Sequence, residues 1–298
     1  MNLTRWISLL LLLELVRAGG QPGRTAAAPA SPSVAYARCS NGSWQIWTSN
    51  LEGQDHRPAP LSVDDPRTLR AVPGASRLLF RDNQGRLFQW DPPQTQTVPV
   101  RLPDVEVIKD FDLDPARGCL VATYAPNALD NIRIWWFSPD YQEKRLLIAD
   151  PHLNEMPRWI PGQSAFLFVK AHQGRSQICR ASFERPRPRI LFGDAFATAT
   201  DPAPDPAGRR IAFCRETPNG IDLWIAPIEG GSPSALYAGP GLEAEPCWSL
   251  DGQFIVFASW DGLHFRIARI RPDGADFRWI SPPGADCRYP AVFPSPNP

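Results

Sequence analysis

The sequence predicts an all-β protein: a six-bladed β-propeller with four antiparallel strands per blade. Three observations carry that expectation. A strand phrase recurs six times, the copies lie 42–46 residues apart, and the first copy lacks a strand that the chain supplies at its end. Repeats of about 40–45 residues with four strands each mark propeller blades.

The recurring phrase is a short apolar strand, a polar turn and an alternating strand. The apolar strands read "VAYARC", "RLLFRD", "CLVATY", "FLFVKA", "RIAFCR" and "FIVFAS", anchored on Tyr36, Phe80, Ala122, Phe168, Phe213 and Phe257. The alternating strands follow in "SNGSWQIWTSNLEG", "DNQGRLFQWDPP", "ALDNIRIWWFSPD", "HQGRSQICRASFERP", "TPNGIDLWIAPIEGG" and "SWDGLHFRIARIRPDG". Alternation bounded by Gly, Pro and Asp is the pattern of strands and turns. Upstream lies an inner strand with a tight turn, fullest in "EPCWSLDGQFIVF", and downstream an outer strand such as "PRILF" or "KRLLIA". The first copy starts at its second strand, while the chain ends with "DCRYPAVFPSP". The C-terminal strand is therefore expected to complete the N-terminal blade and remove the open edges.

The expected domains are an export signal over 1–18, a flexible Ala/Pro/Gly linker over 19–33 and the propeller over 34–298. "MNLTRWISLLLLLELVRA" has one early Arg, a short apolar core and a small-residue end, which is a secretory pattern. Its apolar run is too short for an ordinary membrane span. A periplasmic or secreted monomer with no transmembrane span in the mature chain is the resulting expectation. The formal net charge is zero, which argues against a nucleic-acid partner.

The motif in "EPCWSLDGQFIVFASWDGLHFRIARIRPDG" resembles the TolB-type, WD40-like (PD40) propeller repeat. Pro246, Trp248, Asp251, Gly252, Ile255 and Phe257 match it, as do Pro157, Trp159 and Phe168, and Pro202, Ile211 and Phe213. The resemblance covers residues 34–298 and is weakest in the second and third blades. It implies a fold more than a function, because the motif residues build the blade. Some propeller lyases acting on pectin fragments share the repeat and use several His around a metal. That keeps a metal-dependent polysaccharide lyase or hydrolase as the alternative to a protein- or cell-envelope-binding module. A propeller that is chiefly structural is a third reading.

Sites are expected on the face that collects the b–c loops and d–a connections, strands being lettered a to d from the axis outward. The residue before each inner strand is Thr68, Asp110, Met156, Asp201, Glu245 or Tyr289. Asp110, Asp201 and Glu245, with Glu155 beside them, are expected to give the channel mouth negative potential. Such a ring would suit Ca²⁺, which takes oxygen ligands, or a cationic tail; solvated turn acids are the bland alternative. His152, His172 and His264 share that face and would bind a metal if their loops met; His56 lies on the other. Of eleven tryptophans, Trp260 is the candidate stacking residue, whereas Trp47, Trp90, Trp159, Trp224 and Trp248 sit at strand positions. No G-x-S-x-G elbow, P-loop or C-x-x-C occurs, so no catalytic residue is assigned.

Six cysteines in an exported chain permit disulfides. Transferring the last blade's hairpin register to the first sets Cys39 opposite Cys287, at a separation suited to a bond. Cys214 and Cys247 form a weaker pair on adjacent blades; Cys119 and Cys179 stay unassigned.

Overall fold

The computed structural model describes residues 32–125, 128–194 and 197–295. The expected signal and most of the linker lie outside them. Blade 1 comprises β1 (Pro32–Ser40), β2 (Ser43–Asn50) and β3 (Arg57–Pro58); β1 starts two residues before the expected boundary. Blade 2 is β4 (Arg67–Ala71), β5 (Leu78–Arg81), β6 (Leu87–Trp90) and β7 (Val98–Val100). Blade 3 is β8 (Ile108–Asp114), β9 (Gly118–Ala125), β10 (Ala128–Phe137) and β11 (Lys144–Ile148). Blade 4 is β12 (Leu153–Trp159), β13 (Ala165–His172), β14 (Arg175–Ser182) and β15 (Arg189–Phe192). Blade 5 is β16 (Ala199–Pro204), β17 (Arg210–Thr217), β18 (Gly220–Pro227) and β19 (Ser234–Tyr237). Blade 6 is β20 (Glu243–Trp248), β21 (Ile255–Trp260), β22 (Phe265–Ile270) and β23 (Arg278–Trp279). The last strand, β24 (Cys287–Pro294), joins blade 1 in the order β24-β1-β2-β3. It runs antiparallel to β1, with Val34 opposite Val292 and Ala35 opposite Ala291. Blades 3 and 4 are also bridged, Ile132 lying parallel to Leu153.

The core is a set of layers between blades. Each apolar cluster draws on two neighbouring sheets, and the six clusters cover the six junctions of the ring. At the closing junction Val34 and Val292 of blade 1 meet Val256, Ala258 and Ile267 of blade 6. Second strands are buried on both faces, so they read as continuous apolar runs. In β21, Phe257 packs toward blade 5 while Val256 and Ala258 pack toward blade 1. All six anchors, Tyr36, Phe80, Ala122, Phe168, Phe213 and Phe257, are fully buried.

The motif tryptophans fasten one blade to the one before it. Trp159 Nε1 donates to the Gly118 carbonyl at 3.0 Å, and the Arg117 guanidinium lies 4.4 Å above its ring. Trp248 Nε1 donates to the Ala203 carbonyl at 2.8 Å beneath Arg210, at 4.8 Å. Each fastening joins a satisfied buried indole to a cation–π contact.

Inner strands carry a β-bulge that the expected register omits. In blade 6 the register slips between Ala244 and Cys247, so Glu243 faces Ser259 rather than Trp260. The same slip in blade 1 sets Cys287 opposite Arg38. Cys39 then falls one position past that pair, on the opposite face of the sheet. Its N–H donates to the Asp286 carbonyl at 2.8 Å. The expected Cys39–Cys287 clasp is thereby corrected: both are free thiols, as are Cys119, Cys179, Cys214 and Cys247.

Phe293 of β24 is 1% exposed and packs in the layer containing Phe80. Phe293→Ala should cost about 3–5 kcal/mol, the usual loss for a buried Phe, in urea unfolding. A cost below about 1 kcal/mol would show that β24 does not seal this layer.

Candidate binding site at the channel mouth

The six residues expected before the inner strands come together. Thr68, Asp110, Met156, Asp201, Glu245 and Tyr289 all line one cavity of about 200 Å³. The bulges put five of them there; in blade 3 the unpaired bulge residue is Lys109, and Asp110 stays in the ladder opposite Ala122. Five of the six have left-handed backbone, with φ from 48° at Thr68 to 59° at Tyr289; Asp110 is not among them. Non-glycine residues seldom adopt this region, β-branched Thr least of all. Four are followed by proline: Pro157, Pro202, Pro246 and Pro290. Proline has no N–H to give to a ladder, and a bulge asks for none. The motif proline thus marks the point where each inner strand turns a side chain toward the mouth.

The mouth is not the negative ring expected from the acids alone. Arg70, Arg81, Lys109 and Arg158 line the same cavity, as does Glu155. Asp110 is buried between two guanidinium groups, Arg70 Nη2 at 3.3 Å and Arg158 Nη2 at 3.2 Å. It also accepts the Phe111 N–H at 2.7 Å. One carboxylate therefore links blades 2, 3 and 4. Glu245 takes Arg288 Nη2 at 2.7 Å and the Tyr289 N–H at 2.6 Å, linking blades 6 and 1. Asp112, two residues along from Asp110, accepts the Trp159 N–H at 2.8 Å. Burial pushes its carboxyl up to about 7, against the lowering pull of Arg70.

Asp201 has no basic group within ion-pair distance among the described residues and accepts only the Thr200 hydroxyl, at 3.0 Å. Burial, then the neighbouring Glu245 charge, pushes it up to about 6. Glu155 likewise forms no ion pair among the described residues.

These contacts count against the calcium reading of Asp110, Asp201 and Glu245. Among the described residues no three His, Cys, Asp or Glu side chains converge on a point that would hold a metal. Two of the three ring acids already carry arginine counterions. The geometry counts against the three-histidine reading too. His152 and His172 meet edge to face at 4.7 Å, and His152 Nδ1 lies 3.2 Å from Asp150. His264 stands apart, its backbone N–H donating to Asp261 at 2.9 Å. His56 is bonded to the Tyr36 hydroxyl at 3.1 Å. Trp260 is not among the residues lining this cavity. Its ring meets Phe265 at 5.3 Å, and a β-carbon on Gly241 would lie 2.5 Å from it.

The four cations are what the sequence reading missed. Arg70 and Arg158 each lie two residues past a ring position, Thr68 and Met156. Lys109 immediately precedes Asp110, and Arg81 ends β5. A two-residue step along each inner strand would have flagged the first two.

Asp201 yields a sign-definite test. Its folded pKa lies above the ordinary 3.8, so the native state binds the proton more tightly than the unfolded chain. Its contribution to stability therefore falls as pH rises from about 4 to about 6. Asp201→Asn removes that penalty. It should be more stable than the parent at pH 8 by on the order of 1 kcal/mol, with the gain shrinking toward pH 4. Urea unfolding at both values decides it; a variant less stable at pH 8 than at pH 4, relative to the parent, would contradict the assignment.

No family model matches the chain. Among curated proteins it is similar to the Tol-Pal system protein TolB of Anaeromyxobacter dehalogenans. Identity is 29% for strain 2CP-C and 23% for strain 2CP-1, in each case over 229 residues, 74% of this chain and 48% of the relative. The chain thus spans about half the length of the curated relatives it matches. Among solved structures it is similar to TolB from Acinetobacter baumannii, with a TM-score of 0.72 and 18% identity over 89% of this chain and 67% of that one. A putative TolB from Agrobacterium tumefaciens gives a TM-score of 0.68 at 14% identity, over 85% and 89% of the two chains. A chain of a nidogen/laminin complex gives 0.67 at 12%, over 88% and 98%. The chain has a TolB-like β-propeller fold.

Proposed function

We propose that this chain is an exported binding module that docks a protein or cell-envelope component at its channel mouth. The observation that carries the reading is convergence: six blades each send one bulge residue to a single cavity. Five of these are held in a backbone conformation that costs roughly 1–2 kcal/mol per non-glycine residue. Strain concentrated around a concave, charged site is a mark of function. The ties among Asp110, Arg70, Arg158, Glu245 and Arg288 hold the walls of the mouth in place. That rigidity lowers the ordering cost of binding. The relatives named for the Tol-Pal system support an envelope role by likeness alone. The segment "MNLTRWISLLLLLELVRA" supports a periplasmic or secreted location. The competing metal-dependent lyase or hydrolase reading needs a ligand cage that the mouth residues do not form.

A photo-crosslinking amino acid tests the docking face. Placed at Tyr289 in the mouth, benzoylphenylalanine should give a discrete crosslinked product in whole cells. Placed at Asp251, on an a–b turn of the other face, it should give none. Crosslinks from Asp251 alone would overturn the assignment. Fractionation of the same cells should find the protein outside the cytoplasm.

A further inference from the structure

The charges around the mouth are not evenly shared. The walls from blades 2, 3 and 4 hold four cations, Arg70, Arg81, Lys109 and Arg158, against two carboxylates, Asp110 and Glu155. Asp110 is already divided between Arg70 and Arg158. Arg81 donates Nη1 only to the Asp82 carbonyl, at 3.1 Å. Its Nε–H, like that of Arg70, is shut off from solvent with no acceptor. Lys109 has neither an ion pair nor a hydrogen bond among the described residues. Those two Nε–H groups are closed to a ligand, but the guanidinium charges and the unpaired Lys109 ammonium belong to residues that line the cavity. The facing wall is of the other sign: Asp201 lies there without a basic partner, and Glu245 is neutralised by Arg288.

Size narrows the ligand. A cavity of about 200 Å³ is smaller than the roughly 300–1,000 Å³ of small-molecule sites. It has room for about six or seven waters at ~30 Å³ each, which suits one or two side chains of a protruding peptide loop.

We propose that the mouth reads a single acidic side chain, Asp or Glu, on an extended segment of a protein partner, with Arg81 and Lys109 as its principal receptors. Arg70 adds positive charge to that wall while keeping its bonds to Leu69 and Asp110. The Asp201 wall repels a second carboxylate, so one acid among neutral or basic neighbours fits better than an acidic run. This inference rests on docking at the mouth and adds the chemistry of what docks.

The test is isothermal titration calorimetry of the full chain with nine-residue Gly/Ser peptides blocked at both ends. The central residue is Glu, Gln or Lys, and a fourth peptide carries three consecutive Glu. The Glu peptide should bind at least tenfold more tightly than its Gln isostere, and less tightly as salt rises. The triple-Glu peptide should show no gain over the single. The Arg81→Gln/Lys109→Gln pair should reduce the Glu-over-Gln preference to below threefold. Lys109→Gln alone should reduce it partly, which serves if the double variant unfolds. Equal binding of Glu and Gln, preference for Lys, or no binding by any peptide overturns the proposal. If the Lys peptide wins and crosslinks still arise from Tyr289, docking at the mouth stands and only the charge assignment falls. If crosslinks arise from Asp251 alone, the docking reading itself has failed.

Discussion

Everything in this fold depends on β24 pairing with β1. A four-stranded blade has two apolar faces and cannot bury either by itself. Five junctions follow from chain order, each blade packing on the one before it. The sixth exists only because the last strand crosses back to the first blade, setting Val292 beside Val34 and Ala291 beside Ala35. That junction is as apolar as the others, and it needs no covalent clasp, since Cys39 and Cys287 stand on opposite faces of the sheet. Ladder hydrogen bonds, packing and the ion pairs of Glu245 with Arg288 and of Glu52 with Arg269 and Arg278 hold the ring shut.

Closure has a second consequence. It brings six inner strands to one axis, and the bulge on each turns a residue toward the same opening. The acids there do two jobs. Asp110 and Glu245 tie neighbouring blades through arginine, while Asp201 and Glu155 remain available to a ligand. A ring built this way is a platform whose mouth cannot move without breaking inter-blade contacts. The TolB-like likeness is consistent with that picture at the level of fold.

Much of this was legible in the sequence, and the gaps have physical reasons. Blade number and the split first blade follow from period and ends, because strand burial on two faces writes itself as apolar triplets; all six anchors are buried. Five of the six ring positions were also legible, since equal offsets from equal anchors reach equivalent places in a symmetric fold; in blade 3 the offset reaches Asp110, one residue past the bulge at Lys109. The bulge was not, because an extra residue changes register without changing the hydrophobic pattern. That one residue removed the Cys39–Cys287 pairing and moved Glu243 away from Trp260. The mouth's sign was misjudged for a different reason. The ring positions carry the acids, whereas Arg70 and Arg158 enter from two residues further along. The partnership of Asp110 with Arg70 and Arg158 spans 40 and 48 residues, a separation that only the packing of neighbouring blades brings together. His264 was grouped with His152 and His172 by face, but two blades of arc lie between them.

Hydrogen exchange of the intact protein, read strand by strand, tests ring closure most directly. If β24 is a full inner strand, amides of β24 and β1, including those of Val34 and Val292, will exchange as slowly as those of β20 and β21 in blade 6. They will be released together with them in a single cooperative opening. Fast exchange of β24 with blade 6 still protected would show an open ring with a frayed end. A shared, six-sided mouth would then not exist.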